Sequence, residues 1–190
     1  MKMRNLRWIA VMMLPIMVRA AAADEQINGY LCCNRYSDGY YISDVNVSGP
    51  GQSMIPVGSP IRVTRSSKYK MKIVVANKAQ DFDNELSRDL SIQELAKRYI
   101  VTDDPMLKIR TFPKNIQVAI AAGRLVRGMT REQTLMSIGY PSSTEIPNLS
   151  SNSWTYWWTD KIQYRVRFDS SDHLVDVENV VDTKSILLTE

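Results

Sequence analysis

The stretch that decides the fold prediction is RGMTREQTLMSIGYP, residues 127–141. Thr130 is a residue type that caps helix N-termini, and Gln133, three positions later, completes a capping box. Gly139 suits the left-handed conformation that often follows a helix, and Pro141 prevents the helix from continuing. The stretch therefore predicts one short helix that begins after Thr130 and ends at Gly139.

A second helix and three strands are predicted on either side of this helix. Pro113 suits a first helical turn, and KNIQVAIAAG continues the helix to Gly123. The segments SWTYWW, IQYRVRF and LVDVENVV follow, separated by the short turns TDK and DSSDH. Short turns favour an antiparallel meander, and such a sheet buries one face under helices. Residues 112–190 are therefore predicted to form a domain of two helices on a three-stranded antiparallel sheet.

This arrangement resembles the SmpA/OmlA (BamE-like) domain family over about residues 112–181. The residues that carry the resemblance are Gly128, Met129, Thr130, Gln133, Gly139, Pro141, Trp154, Tyr156 and the strand at 164–168. The resemblance implies an ααβββ domain, a link to outer-membrane protein assembly, a protein partner in the envelope and peripheral contact with the outer membrane. The same plan also occurs in β-lactamase-inhibitor-like domains, so the resemblance supports the fold more strongly than the function.

Residues 24–80 have the composition of a β-rich domain. Asp38 and Gly39 lie between β-rich runs in LCCNRYSDGYYISDVNV and predict a hairpin. In KYKMKIVVA, Met71 and Ile73 alternate with lysines, as in a half-buried strand. IPVGSPIRV resembles strands of bacterial SH3-like barrels. The fold class predicted for the whole chain is therefore α+β, with a β-rich N-terminal part that forms a small barrel or a strongly bent sheet.

Residues 81–111 are predicted to hold a helix and a connector. Ser91 and Glu94 have the spacing of a capping box, and apolar residues then recur at helical spacing. Asp103, Asp104 and Pro105 end the helix. This helix is expected to cover the open side of the preceding sheet or to connect it to the C-terminal domain.

Residues 1–23 are predicted to be a cleaved signal peptide. A basic start precedes the apolar run WIAVMMLPIMV, and Ala21 to Ala23 offer a small-residue cleavage site before Asp24. The run is shorter than the roughly 20 residues that span a bilayer. An uncleaved N-terminal membrane anchor is the alternative interpretation. Leu31 precedes Cys32 where a lipoprotein signal has a small residue, so lipidation is not expected. The predicted location is the periplasm.

Cleavage would change the charge balance of the chain. Its 24 basic residues exceed its 20 acidic residues, but four of the basic residues would leave with the signal: Lys2, Arg4, Arg7 and Arg19. The remaining chain is formally neutral, which gives no support to nucleic-acid binding. Lys68, Lys70 and Lys72 could still form a basic surface for lipid heads or glycans. The more ordinary interpretation is a solvated strand face.

The only two cysteines, Cys32 and Cys33, are adjacent. Their Cα atoms must lie about 3.8 Å apart, below the usual disulfide separation of about 4.4–6.8 Å. Adjacent strand residues also point to opposite faces. The first expectation is therefore two small buried thiols. A disulfide between the neighbours, with a redox or switching role, and an intermolecular bridge are the alternatives.

The sequence offers little basis for catalysis. The single histidine, His173, follows Asp172 in a predicted turn, and no motif places a nucleophile beside it. No spacing of cysteine, histidine and carboxylate residues is typical of a metal site, and there is no glycine-rich phosphate loop. The prediction is a non-catalytic protein without a metal, a cofactor or a small-molecule substrate.

A partner-binding surface is predicted on the outer face of the C-terminal sheet. Alternation places Trp154 and Tyr156 on one face and Trp157 on the other. Arg165 and Arg167 likewise point away from the predicted core. Trp and Arg are favoured interface residues, whereas a solvated face with cross-strand ion pairs is the alternative. The predicted function is binding of another envelope protein, with glycan binding and thiol-based redox activity as alternatives.

Overall fold

The computed structural model describes residues 27–178 and 188–189, so the predicted signal peptide lies outside the described residues. The fold is α+β, with a six-stranded sheet shaped as a half barrel, short helices and a C-terminal three-stranded antiparallel sheet. Within the described ranges, no helix has the length and apolar character needed to cross a membrane.

The first part of the chain is mostly strand. Its elements are β1 (Asn28–Leu31), β2 (Arg35–Ser37), β3 (Tyr41–Ser43), β4 (Ser53–Ile55), β5 (Pro60–Ser66), β6 (Lys70–Val75), β7 (Lys78–Asp83), α1 (Ile92–Tyr99) and β8 (Ile100–Val101). The six-stranded sheet has the order β3-β7-β6-β5-β1-β8, and β2 pairs with β4 in a separate ribbon. Most neighbours are antiparallel, but β3 runs parallel to β7.

The predicted hairpin at Asp38 and Gly39 is wrong. The strands on either side of the turn do not pair, because β2 pairs with β4 and β3 pairs with β7. Asp38 Oδ1 accepts the backbone N–H groups of Tyr40 and Tyr41, at 2.9 Å each. The aspartate side chain therefore binds the donors at this turn, and the chain leaves for a different sheet.

The half barrel closes around an apolar core that α1 covers. Met71, Ile73 and Val75 are buried, which confirms the predicted alternation in β6. The predicted capping box at Ser91 and Glu94 is also confirmed at the start of α1. The buried side of the helix packs against this sheet, so the helix covers the sheet as expected.

The second part of the chain builds a separate core. Its elements are α2 (Pro105–Ile109), α3 (Lys114–Ala121), β9 (Leu125–Val126), α4 (Arg131–Ile138), β10 (Ser153–Trp157), β11 (Gln163–Phe168), β12 (Leu174–Glu178) and β13 (Leu188–Thr189). The order β10-β11-β12 is the antiparallel meander that the sequence predicts. Trp154, Tyr156, Val166 and Phe168 face a core shared with α3 and α4. The parallel pairing of β13 with β9 was not predicted.

The segment Leu31–Asn34 joins the two cores. The Asn34 side chain donates to the backbone oxygens of Ile120 (2.6 Å) and Ser137 (2.9 Å), and its oxygen accepts the N–H of Val57 (2.7 Å). Asn34 is fully buried, and all three bonds satisfy backbone groups that are distant in sequence. One side chain thereby fixes the N-terminal part against α3 and α4.

Candidate partner interface

The outer face of the three-stranded sheet carries the three residues predicted to bind a partner. Trp157 is half-buried, whereas Arg165 and Arg167 are exposed. Trp157 lies opposite Gln163, so Arg165 is its diagonal neighbour on β11. Arg167 lies four residues along β11 from the position opposite Trp157, which corresponds to about 13 Å. The structure thus brings Trp157 and Arg165 together and places Arg167 at the far end of the face.

The two arginines differ in their partners. Arg167 Nη1 lies 2.7 Å from Glu178 Oε1 on the neighbouring strand. Arg127 reaches the same face and pairs with Asp176 at 3.4 Å. Within residues 27–178 and 188–189, the Arg165 side chain makes no hydrogen bond or ion pair, although its backbone is paired on both sides in the sheet. Its guanidinium is therefore free to pair with a carboxylate from another molecule.

Glu145 fixes the aromatic end of this face. Its carboxylate accepts hydrogen bonds from Trp157 Nε1 (3.3 Å) and from Gln163 Nε2 (3.1 Å). The first of these bonds holds the half-buried indole against the loop that precedes β10. Sequence reasoning missed Glu145, because nothing local to the strand indicates which loop residue reaches it.

The predicted basic surface is largely neutralised. Lys70 lies 3.2 Å from Asp81 and 3.3 Å from Asp83, and Lys72 lies 2.9 Å from Asp81. Hydrogen bonds from Lys72 and Lys70 lower the pKa of Asp81, which is the direction expected for a carboxylate between two ammonium groups. The acidic partners are on β7, and the lysine pattern of β6 alone could not reveal them.

Lys68 has a different environment at the turn between β5 and β6. Its Nζ lies 4.8 Å from the centroid of the Tyr69 ring, and the Arg88 guanidinium lies 4.2 Å from the same centroid. Hydrogen bonding to Lys68 lowers the pKa of Tyr69. These residues line a surface cavity of about 450 Å³ next to Ser91 at the start of α1. The three lysines therefore do not form one continuous basic surface.

The two cysteines differ from the first expectation of separate thiols. Cys32 and Cys33 are joined in a disulfide; Cys33 is fully buried and Cys32 is half-buried. Both line a cavity of about 160 Å³, together with Leu135, Met136 and Tyr140 from the second part of the chain. The sequence disfavoured a disulfide because the two cysteines are adjacent. No sequence signal indicates that the segment containing them connects the two cores.

A buried cation lies close to the same junction. The Arg35 guanidinium is 4.3 Å from the Tyr99 ring centroid and 5.2 Å from that of Phe82. It also donates to the backbone oxygen of Ser43. Burial lowers the pKa of Arg35, which nevertheless stays protonated because free arginine titrates far above neutral pH. The aromatic faces and the nearby Asp44 stabilise this charge inside the protein.

Asp44 is held by backbone groups rather than by a side chain. Its two carboxylate oxygens accept N–H groups from Glu85 (2.7 Å), Leu86 (3.3 Å) and Ser87 (2.7 Å). Such a ring of amides stabilises a buried carboxylate. Neither Arg35 nor Asp44 was singled out in the sequence, where they look like ordinary polar residues of β-rich segments. Both serve the packing of the junction.

The residues that carry the family resemblance have structural positions. The capping box at Thr130 and Gln133 is formed, which confirms that prediction. Met129 and Trp154 are fully buried, and Pro141 is also buried. Further members of the set, Gly128 and Gly139, have positive φ angles of 86° and 82°. These residues therefore shape helix ends, a turn and the core.

His173 lies on the surface, next to the acidic residues of the turn before β12. His173 is exposed, and its backbone N–H donates to Asp169 Oδ1 at 3.0 Å within the turn before β12. In the part of the chain that the structure describes, no group of three or more His, Cys, Asp or Glu side chains is arranged to hold a metal ion.

Comparisons with known proteins identified no match for this chain. No family model matches the chain, no curated protein matches it, and no solved structure matches it. The likeness to the SmpA/OmlA family therefore stays a prediction that rests on the motif residues themselves.

Proposed function

We propose that this chain is an exported, non-catalytic periplasmic protein that binds another envelope protein through the outer face of its three-stranded sheet. The observation that carries the proposal is that a half-buried Trp157 and an exposed Arg165, whose side chain has no partner among the described residues, are diagonal neighbours on a face turned away from the core. Tryptophan and arginine are the side chains most often responsible for interface affinity. The inner face of the sheet packs into the second core, so the side chains of the outer face are not needed to fill that core.

The chemistry of the face defines its partner. The Arg165 guanidinium would bind a carboxylate of the partner, and the exposed part of the Trp157 indole would pack against an apolar or aromatic side chain of the partner. A protein surface offers both groups at a fixed spacing. Arg167 and Arg127 contribute less, because a partner must compete with Glu178 and Asp176 for them.

The proposal extends to the finer features of the fold. We infer that residues 112–190 form a BamE-like domain and that the β-rich part predicted for residues 24–80, which supplies most strands of the half barrel, is related to SH3-like barrels. The supports are the ordered motif set, the formed capping box and the strand order of the meander. A BamE-like domain would link the protein to outer-membrane protein assembly or to envelope integrity, with peripheral contact to the outer membrane. The ion pairs of Lys70 and Lys72 give glycan binding less support.

Crosslinking in cells followed by pulldown tests the proposal. The double variant Trp157→Ala/Arg165→Ser should lose the partner that the wild type recovers most strongly, while its thermal melt stays close to that of the wild type. Arg167→Ser is the matched control, since it removes a guanidinium that is already paired, and it should retain most of the recovery. Normal recovery by the double variant would refute the role of this face.

The identity of the captured molecule decides between the functional classes. Components of the barrel-assembly machinery would support the role implied by the family resemblance. Peptidoglycan fragments would support the glycan-binding alternative. The mass of the mature protein tests export: it should begin at or near Asp24 and carry no diacylglycerol, whereas a mass that includes residues 1–23 would contradict cleavage.

A further inference from the structure

The disulfide between Cys32 and Cys33 occupies the segment that connects the two cores. The N–H of Cys32 donates to the backbone oxygen of Tyr99, at the end of α1, with a distance of 3.0 Å. The N–H of Asn34 donates to the backbone oxygen of Met136 in α4, also at 3.0 Å. Cys32 and Asn34 therefore connect α1 to α4 through their backbone N–H groups. The disulfide closes a ring around the Cys32–Cys33 peptide bond, which lies between these two donors.

The two sulfur atoms are not equally accessible. Cys33 is fully buried in the first core, whereas Cys32 is half-buried and packs against that core from outside. Both cysteines line the cavity of about 160 Å³ whose other walls include Leu135, Met136 and Tyr140, but only Cys32 has solvent-exposed surface. Thiol–disulfide exchange requires that a thiolate reach one sulfur of the pair. Because Cys33 is fully buried and Cys32 is not, Cys32 Sγ is the sulfur that an attacking thiolate is expected to reach.

We infer that Cys32–Cys33 is a redox-active disulfide that a dithiol reductant opens at Cys32, and that its opening loosens the tie between α1 and α4. The attacking thiolate bonds to Cys32 Sγ, the Cys32–Cys33 bond breaks, and its electron pair goes to Cys33 Sγ, which takes up a proton. The second thiol of the reductant then attacks the reductant sulfur in the mixed disulfide. Cys32 leaves as a thiolate and is protonated, so the protein gains two electrons and two protons and the dithiol becomes a disulfide.

Opening the ring changes the geometry of the tie. Adjacent residues of an extended chain direct their side chains to opposite sides. Cys33 stays in the apolar core, because its thiol behaves there as a small hydrophobic group. Cys32 is then free to turn away from Leu135, Met136 and Tyr140, and the backbone at residues 32–34 gains freedom that the ring had removed. The inference is independent of the outer sheet face and can fail separately from it.

Mass spectrometry tests the chemistry on the folded full-length protein. Protein purified under oxidising conditions should resist alkylation, and dithiothreitol without denaturant should then add the mass of two hydrogen atoms. After reduction, Cys32 should be alkylated at least about tenfold faster than Cys33, because Cys33 is fully buried. Two free thiols before reduction, or reduction only in denaturant, would overturn the inference.

Hydrogen exchange tests the loosening. The amides of Cys32 and Asn34 should exchange at least about tenfold faster in reduced than in oxidised wild-type protein, because exchange reports local opening. The Cys32→Ser/Cys33→Ser variant is the matched control, and dithiothreitol should not change its exchange. The comparison of reduced with oxidised wild-type protein tests the loosening even if the double serine variant does not fold. Equal exchange at the two amides in both redox states would refute the switch.

Discussion

The Tyr156 hydroxyl donates a hydrogen bond to the backbone oxygen of Gly139, with the two oxygens 3.0 Å apart. This bond fastens the end of α4 to the first strand of the three-stranded sheet. Gly139 has φ 82° and ψ −175°. The positive φ agrees with the helix end that the sequence predicts, but the extended ψ differs from a left-handed cap. Only glycine adopts this combination readily.

Gly139→Ala should destabilise the protein by about 3 kcal/mol or more. A Cβ there would lie 2.7 Å from Asn46 Nδ2, displacing a buried amide that bonds the backbone oxygen of Ile138. Gly128→Ala is the matched control, since Gly128 also has positive φ but open space around a Cβ. It should cost about 1–2 kcal/mol from backbone conformation alone. Equal shifts of the urea midpoints would contradict this reasoning.

Asn34→Leu keeps the approximate size of the side chain but removes three buried hydrogen bonds. The backbone groups of Val57, Ile120 and Ser137 would lose their partner, and each unsatisfied buried group costs about 1–3 kcal/mol. We expect a loss of at least about 3 kcal/mol in the free energy of unfolding. Asn148→Ala, in an exposed turn, should change it by less than about 0.5 kcal/mol. A loss at Asn34 no larger than that at Asn148 would show that water replaces these bonds.

The two neighbouring tryptophans should respond differently to truncation. Trp154 is fully buried, and its ring lies 4.5 Å from that of Phe168 between centroids. Trp154→Ala should therefore cost about 3–5 kcal/mol. Trp157→Ala removes a half-buried ring from the outer face and should cost about 1 kcal/mol. Thermal and denaturant unfolding measure both. A larger loss for Trp157 would mean that the two sheet faces are assigned in reverse.

Buried tyrosines should make the protein sensitive to alkali. Burial raises the pKa values of Tyr99, Tyr156 and Tyr164 above the ordinary value of 10.0. Above pH 10 the unfolded chain loses these phenolic protons while the folded chain keeps them. The stabilisation is thus complete below the unfolded pKa and is lost as the pH rises towards the folded values. Each tyrosine contributes up to about 1.4 kcal/mol per pH unit in this range.

Urea unfolding between pH 8 and about pH 11 would measure this slope. Tyr164→Phe is the control, because it removes one of the protons and should reduce the slope by up to one tyrosine's contribution. A free energy of unfolding that stays constant across this range would show that the tyrosines have the same pKa values in the folded and the unfolded protein, and it would contradict the prediction.

Local signals in the sequence predicted much of the second core. The caps at Thr130 and Gln133, and the alternation in SWTYW and QYRVRF, act within a few residues, so helix α4 and the meander are found where predicted. The first part of the chain was harder to predict. Asp38 and Gly39 carry a hairpin signal, but the partners of β2 and β3 lie further along the chain and depend on tertiary packing.

The features missed at the candidate sites have the same cause. Glu145, Asp81 and Tyr140 act on residues of other elements, and no periodicity in the chain links them to those partners. From the sequence alone, Arg35 would be assigned to the surface, whereas in the fold its guanidinium packs against the rings of Phe82 and Tyr99. Sequence patterns show which face of an element is buried, but they do not show which distant side chain meets it.

The position of Asn34 sets an order of events for a chain that emerges N-terminus first. Its partners Ile120 and Ser137 lie 86 and 103 residues downstream. Until those residues have emerged, the asparagine lacks two of its acceptors, and the half barrel has no finished surface against α3 and α4. Contacts this distant in sequence form late and slowly. The N-terminal part should therefore complete its folding only after most of the chain has been delivered, which leaves an interval in which a chaperone could hold it.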